Sequence, residues 1–260
     1  MRQRLFIFGL GYTAARIALA AQAQGWEVVS TGRAGTLAFG DHGAVRLAVA
    51  DSDQVLSSVP PAADGDPVLE QYGYALAGKR LTYLSSTGVY GDCGGAWVDE
   101  TAAIGAGRRA ARSEADAAWL ARSARVLRLP GIYGPGRSAL DRVREGAARR
   151  IDVPGQVFSR VHVDDIVSAA LLAVAAPPGA YNLSDDLPAS QNTVIEHACA
   201  LLGAKPPPML SLEEARLSPQ ARAFYDENRR VANGKAKRVL RWQLQYPTYR
   251  EGLAALAAPA

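Results

Sequence analysis

An apolar run, Leu5-Phe6-Ile7-Phe8, leads directly into Gly9-Leu10-Gly11-Tyr12-Thr13-Ala14-Ala15. A helical stretch follows to about Ala23, Gly25 stops it, and a second apolar run, Trp26 to Ser30, closes on Thr31-Gly32-Arg33. This order of strand, glycine turn, helix and strand constrains the chain more than any other feature. Two parallel strands joined by a helical crossover belong to a sheet that must be covered by helices. The small residues have physical tasks in such a unit. One glycine permits the tight turn, the next lets backbone N–H groups approach a pyrophosphate, and Ala14 lets the helix pack against the strand. The helix N-terminus adds positive dipole. Gly9, Leu10, Gly11, Tyr12 and Thr13 are therefore the expected dinucleotide contacts.

Arg33 follows the second strand, 24 positions after Gly9, near the distance of about 20 residues at which the ribose is read. An acidic side chain there bonds the 2′-hydroxyl, whereas an arginine fork attracts a 2′-phosphate. Thr31 and Arg33 favour NADP(H) over NAD(H). The alternative is a solvated surface arginine in an arginine-rich chain.

With 260 residues, 48% of them hydrophobic, the chain has length and apolar content for a sizeable core. Its formal charge is +4, but the arginines are scattered along helices and mixed with acids, which argues against nucleic acid as a partner. A phosphate-bearing small molecule fits that charge better. Two cysteines, Cys93 and Cys199, supply neither a disulfide framework nor metal-ligand spacing, so a reducing cytoplasm is the expected compartment. The basic start followed by apolar residues resembles a secretion signal, yet Gly9 and Arg16 interrupt it and it reads as the first strand. No stretch has the length of about 20 apolar residues that a membrane span requires.

Further along, Ala44 to Ala50 reads as a third strand ending at Asp51, Gln54 to Val59 as a fourth and Arg80 to Ser86 as a fifth. A helix is predicted over 107–123, a sixth strand over 125–129, a helix over 163–176 and a short seventh strand at Tyr181-Asn182-Leu183. The result is an α/β, doubly wound (Rossmann) parallel sheet of about seven strands. From Pro188 onward helices alternate with proline-rich joints, so a small, mostly helical lobe is expected over the sheet. The predicted division is a nucleotide-binding domain at 1–132 and 161–186 and a substrate lobe at 133–160 and 187–260.

These pieces together resemble the extended and atypical short-chain dehydrogenase/reductases, the NAD-dependent epimerase/dehydratase group. The resemblance rests on the Gly9-to-Ala15 turn, Ser85-Ser86-Thr87-Gly88-Val89-Tyr90-Gly91-Asp92, Leu129 through Gly136 and Arg160-Val161-His162-Val163-Asp164-Asp165. Tyr181-Asn182-Leu183-Ser184 and Arg230-Val231-Ala232-Asn233 continue it in family order over nearly the whole length. It implies that Ser86 orients a reacting carbonyl or hydroxyl, that Asp51, Ser57, Ser85, Gly131 and Ile132 join the cofactor contacts, and that Thr87, Gly88, Tyr90 and Arg137 border the substrate. Tyr90 and Tyr133 read as scaffold aromatics, and His162 as the cap of a helix. Dimerisation through two helices per subunit is a further implication.

The sequence departs from the family at the helix that carries its Tyr-x-x-x-Lys pair, which here reads Gly107-Arg108-Arg109-Ala110-Ala111-Arg112-Ser113-Glu114-Ala115-Asp116. If Asp116 fills the acidic position downstream, Arg108 and Arg112 occupy the two catalytic slots. An arginine stays protonated near neutrality and is no ordinary general acid or base. Arg108, Arg112 and Arg137 read either as an anion clamp over the nicotinamide or as a solvated basic face. Ser86 likewise reads as an orienting hydroxyl or as a local backbone partner. The span from Pro60 to Lys79, rich in Pro, Gly and Asp, is too short for the long helix of full-length relatives. The expected activity is hydride transfer with a small anionic substrate. An NADP(H)-binding sensor and a nucleotide-sugar epimerase or dehydratase are the alternatives.

Overall fold

The computed structural model describes residues 3–105 and 110–258. Its strands are β1 (Arg4–Phe8), β2 (Glu27–Ser30), β3 (Gln54–Ser57), β4 (Arg80–Ser86), β5 (Trp97–Val98), β6 (Arg125–Leu129), β7 (Gly131–Tyr133), β8 (Arg150–Ile151), β9 (Arg160–His162), β10 (Gly179–Asn182), β11 (Met209–Leu210) and β12 (Arg230–Val231). Six of them form one sheet in the order β10-β6-β4-β3-β1-β2, and every neighbouring pair is parallel. Because β1 lies between β2 and β3, the chain reverses its direction of travel across the sheet beside β1. A crevice opens there at the carboxyl ends of the strands, the place where open α/β sheets bind ligands.

The predicted strand over 44–50 is instead helical. Helix α1 (Tyr12–Ala23) follows β1, and α2 (His42–Ala50) occupies that stretch. Val45 and Val49, four apart, are its buried residues, and the Asp41 side chain caps it by accepting from Ala44 N. A one-sided i, i+4 stripe with an aspartate cap favours helix over strand despite the β-branched residues. The sheet therefore has six strands rather than about seven.

The remaining helices are α3 (Pro67–Tyr72), α4 (Ala110–Ala121), α5 (Ala139–Arg144), α6 (Val163–Ala173), α7 (Gln191–Leu201), α8 (Pro219–Arg222), α9 (Gly234–Leu240) and α10 (Tyr249–Ala257). Only the short α3 fills the interval between β3 and β4. Period-two alternation along β1 sends Leu5 and Ile7 to a core shared with α1, α6 and α9. Phe6 and Phe8 go to the opposite core, shared with α2, α3 and α4. Helices thus cover both faces, as a buried parallel sheet requires.

A further core gathers Tyr133, Leu140, Val194, Ala198, Tyr249 and Leu253 from β7, α5, α7 and α10. It is separate from the two cores of the sheet and forms an accessory core. Ala236, Leu240 and Trp242 pack into the core of the main sheet, so the stretch from α9 to Trp242 belongs there. Among the described residues no helix is long and apolar enough to cross a membrane.

Candidate functional site

A cleft of about 1520 Å³ runs from the glycine turn, past the ends of β4 and β6, to the accessory core. The turn shapes one end. Gly9 has φ +82°, and a Cβ there would sit 3.0 Å from Val59 Cγ2, so both the bend and the close packing require glycine. Its N–H donates to Thr31 Oγ1 at 3.2 Å, and Leu10 N donates to Thr31 O at 2.9 Å. The backbone of Gly9 and Leu10 is thereby tied to the end of β2.

Gly11 is the N-cap of α1, supplies no side-chain cap, and no acid stands in the first turn. A Cβ at Gly11 would meet nothing within 4 Å, and Gly11, Tyr12, Thr13 and Ala14 all line the cleft. The first bond back to this turn comes from Ala15 N to Gly11 O, at 2.8 Å. A helix start with open N–H groups, positive dipole and room above it fits a dinucleotide pyrophosphate. Tyr12 braces this end against the far wall by donating its hydroxyl to Pro135 O at 3.1 Å. Arg16 and Arg137 stand over its ring at 4.0 and 5.6 Å.

At the end of β4 the pleat separates two adjacent serines. Ser86 faces the cleft, where its Oγ accepts from Gly88 N at 3.1 Å, leaving its own proton to donate. It caps a 3-10 turn, Thr87–Tyr90, and Thr87 and Gly88 also line the cleft.

Ser85, expected at the cofactor, also borders the cleft, but its hydroxyl donates to Asp116 Oδ2 at 2.6 Å beneath α4. Tyr90, expected at the substrate, is 2% exposed. Its hydroxyl donates to Asn182 Oδ1 at 2.7 Å and accepts from Arg128 Nη1 at 2.9 Å. Burial raises its pKa, the Arg128 charge opposing. Both hydroxyls are consumed by a polar network under the cleft floor.

Asp116 forms that network's ion pair with Arg128 of β6, which fixes the rotation of α4. Arg112, one turn earlier, then lines the cleft beside the buried Tyr83, whose pKa burial pushes up to about 12 against the opposing Arg112 charge. Arg108 lies outside the described residues. Gly131, Ile132 and Arg137 complete the opposite wall. His162 caps α6 by accepting Asp164 N on Nδ1 at 3.2 Å, and burial lowers its pKa.

Two further expectations are corrected. Asp51 is the C-cap of α2, 3.9 Å from Arg4 at the amino-terminal edge of the sheet. The stretch before it is helix and ends at this edge, so Asp51 lies on the side away from the cleft. Ser57 is fully buried; its neighbour Ser58 lines the cleft instead and donates its hydroxyl to Gly9 O. Period-two alternation along β3 holds the signal for that swap. Arg33 is exposed beyond β2. The sequence reading also missed Glu145 and the arginines at 142, 149 and 216 on the accessory side of the cleft. Arg142 and Glu145 follow the Ser138-x-x-Asp141 capping box that starts α5, while Arg149 and Arg216 lie outside the regular elements.

No protein-family model matches the chain. A conserved protein of unknown function from Silicibacter pomeroyi DSS is 39% identical, with 98% of both chains covered and a TM-score of 0.86. A Streptomyces 3-diazoavenalumate denitrifying reductase is 34% identical over 143 residues, covering 49% of this chain. The chain spans only 45% of that relative's length. Solved structures described as epimerases and dehydratases share the fold at lower identity. Among them the human epimerase family protein SDR39U1 with NADPH is 17% identical, covers 98% of this chain and 99% of its own, and has a TM-score of 0.75. The chain belongs to the family of the Silicibacter pomeroyi protein, built on the fold of the NAD-dependent epimerases and dehydratases.

Proposed function

We propose that the chain is an NADP(H)-dependent oxidoreductase that moves hydride between the nicotinamide and a carbonyl or alcohol carbon of a small anionic substrate. The observation that carries this reading is the uncapped start of α1 opening into the same cleft as Ser86 and Arg112. Gly11, Tyr12 and Thr13 would hold the pyrophosphate, Arg33 the 2′-phosphate, and Gly131 and Ile132 would flank the nicotinamide. When bound, the cofactor supplies or accepts the hydride. Ser86 donates a hydrogen bond to the substrate oxygen, and the Arg112 guanidinium balances negative charge that develops there. The reductase relative and the NADPH held by the human protein are in keeping with this reading.

The test begins with the full chain and separate titrations of NADPH and NADH, followed by a panel of aldehydes and ketones with NADPH oxidation as readout. Tight NADPH binding is expected, with turnover of at least one compound that Ser86→Ala abolishes while leaving NADPH affinity intact. Binding without turnover across the panel would favour a sensor. Retained NAD that survives purification would favour an internal redox cycle such as epimerisation.

A further inference from the structure

The cleft carries positive charge that the dinucleotide does not use. Arg142 at the end of α5, Arg149 before β8, and Arg216 all line its accessory side. None of the three forms an ion pair with a carboxylate among the described residues. Arg4, Arg128 and Arg150, by contrast, are paired with Glu27, Asp116 and Glu196.

The backbone brings the three segments together. Arg149 Nη1 donates to Ala215 O, one residue before Arg216. Ala147 N and Ala148 N donate back to Arg142 O at 2.8 and 2.9 Å, folding the loop that carries Arg149 against the end of α5. The Arg142 charge is felt by Tyr225, another cleft residue, where it opposes the rise in pKa that burial causes. Arg216 has φ +42°, a left-handed conformation that a non-glycine residue adopts at a cost and that is enriched at functional sites.

The carboxylates on this side are Asp141, Glu145 and Glu227, and Glu227 pairs with Arg229 at 2.9 Å. Asp141 closes the capping box of α5 with Ser138 and lies 3.7 Å from Arg144. With Asp141 and Glu227 beside arginines of their own, Glu145 is the remaining carboxylate among the described residues of this side against three guanidinium groups, a formal excess of two positive charges. Forked guanidinium donors in excess, focused by a cleft, match a dianion with several acceptor oxygens.

We propose that Arg142, Arg149 and Arg216 form an anion subsite for a phosphate-type dianionic group of the substrate, at the end of the cleft remote from the 2′-phosphate. It rests on the reading that this cleft holds substrate beside the nicotinamide. The substrate is then a phosphate ester whose reacting carbon reaches Ser86 while its phosphate stays on the accessory lobe.

The test is calorimetric titration of inorganic phosphate into the full chain saturated with NADPH, so that the cofactor's own phosphate sites are filled. Phosphate should bind, and Arg142→Gln, Arg149→Gln and Arg216→Gln should each weaken it by about threefold to tenfold or more. Arg46→Gln, on the exposed face of α2, should not. Arg216→Gly removes the charge and relieves the left-handed strain together, so its unfolding midpoint should be no lower than wild type while phosphate affinity falls. Equal phosphate binding by wild type and the cleft variants, or none at about 10 mM, overturns the subsite. Malonate bound more tightly than phosphate overturns the assignment to a phosphate. A chain that does not take up NADPH sinks the cofactor reading alone, and the variant comparison with phosphate still decides the subsite.

Discussion

Arg128 Nη2 lies 2.7 Å from Asp116 Oδ1, with the two side chains 3% and 0% exposed. Arg128 Nε donates to the second carboxylate oxygen at 3.1 Å, so the pair is bidentate and joins β6 to α4. Burial works against the guanidinium charge, but the Asp116 hydrogen bonds and charge hold the Arg128 pKa above its ordinary value. The pair is what turns Arg112 toward the cleft.

Removing one partner leaves a sealed charge without compensation. Asp116→Ala should lower stability by about 3–5 kcal/mol in urea unfolding. Asp116→Leu combined with Arg128→Met should recover more than half of that loss, because an apolar pair needs no desolvated charge. A double variant no more stable than Asp116→Ala would show that the pair's value lies in its geometry.

The two glycines of the turn should fail differently. Gly9→Ala places a side chain at positive φ against Val59 and should cost about 1–3 kcal/mol of stability. Gly11, at φ −88°, accepts a methyl group sterically, so Gly11→Ala should leave stability within about 0.5 kcal/mol. The same methyl group projects into the space above the helix start and should weaken NADPH binding at least about tenfold. Urea unfolding beside NADPH titration separates the two effects.

Cofactor choice rests on Arg33. Arg33→Gln should weaken NADPH binding by about tenfold and leave NADH binding unchanged. Equal effects on both, or on neither, would return Arg33 to a solvated surface role.

Stability should fall as pH rises through neutrality. Burial pushes the pKa of Asp165 up to about 6, against backbone N–H bonds from Gln245 and Tyr246. It pushes that of Asp185 up to about 7, against the Arg160 charge. The folded chain therefore keeps protons that the unfolded chain releases above about pH 4. Stability is fully present below that pH and is lost as pH passes the two folded values. The urea midpoint should be higher at pH 5 than at pH 8, and Asp185→Asn should flatten that dependence.

Local sequence sufficed for the βαβ start, the strands over 80–86 and 125–129, and the turn from Gly9 to Thr13. Each is specified by neighbours within a few residues: an apolar run of strand length, a glycine at positive φ, a small residue against the next helix. The cap at His162 was also legible, because an imidazole before Asp164 acts on adjacent backbone. The stretch over 44–50 misled because β-branched content and an i, i+4 stripe compete there, and the Asp41 cap with burial of Val45 and Val49 decided for helix. That one change carried Asp51 to the opposite edge of the sheet. Which of Ser57 and Ser58 meets the cleft was decided by the pleat of β3, and the Ser85 hydroxyl is taken by Asp116 beneath it. The arginines at 142, 149 and 216 lie on separate loops and helix ends. Only the packing of α5 and β8 on α7 and the pairing of β8 with β11 bring them to one cleft, since charge convergence across some 70 residues depends on tertiary distance and leaves no local periodicity.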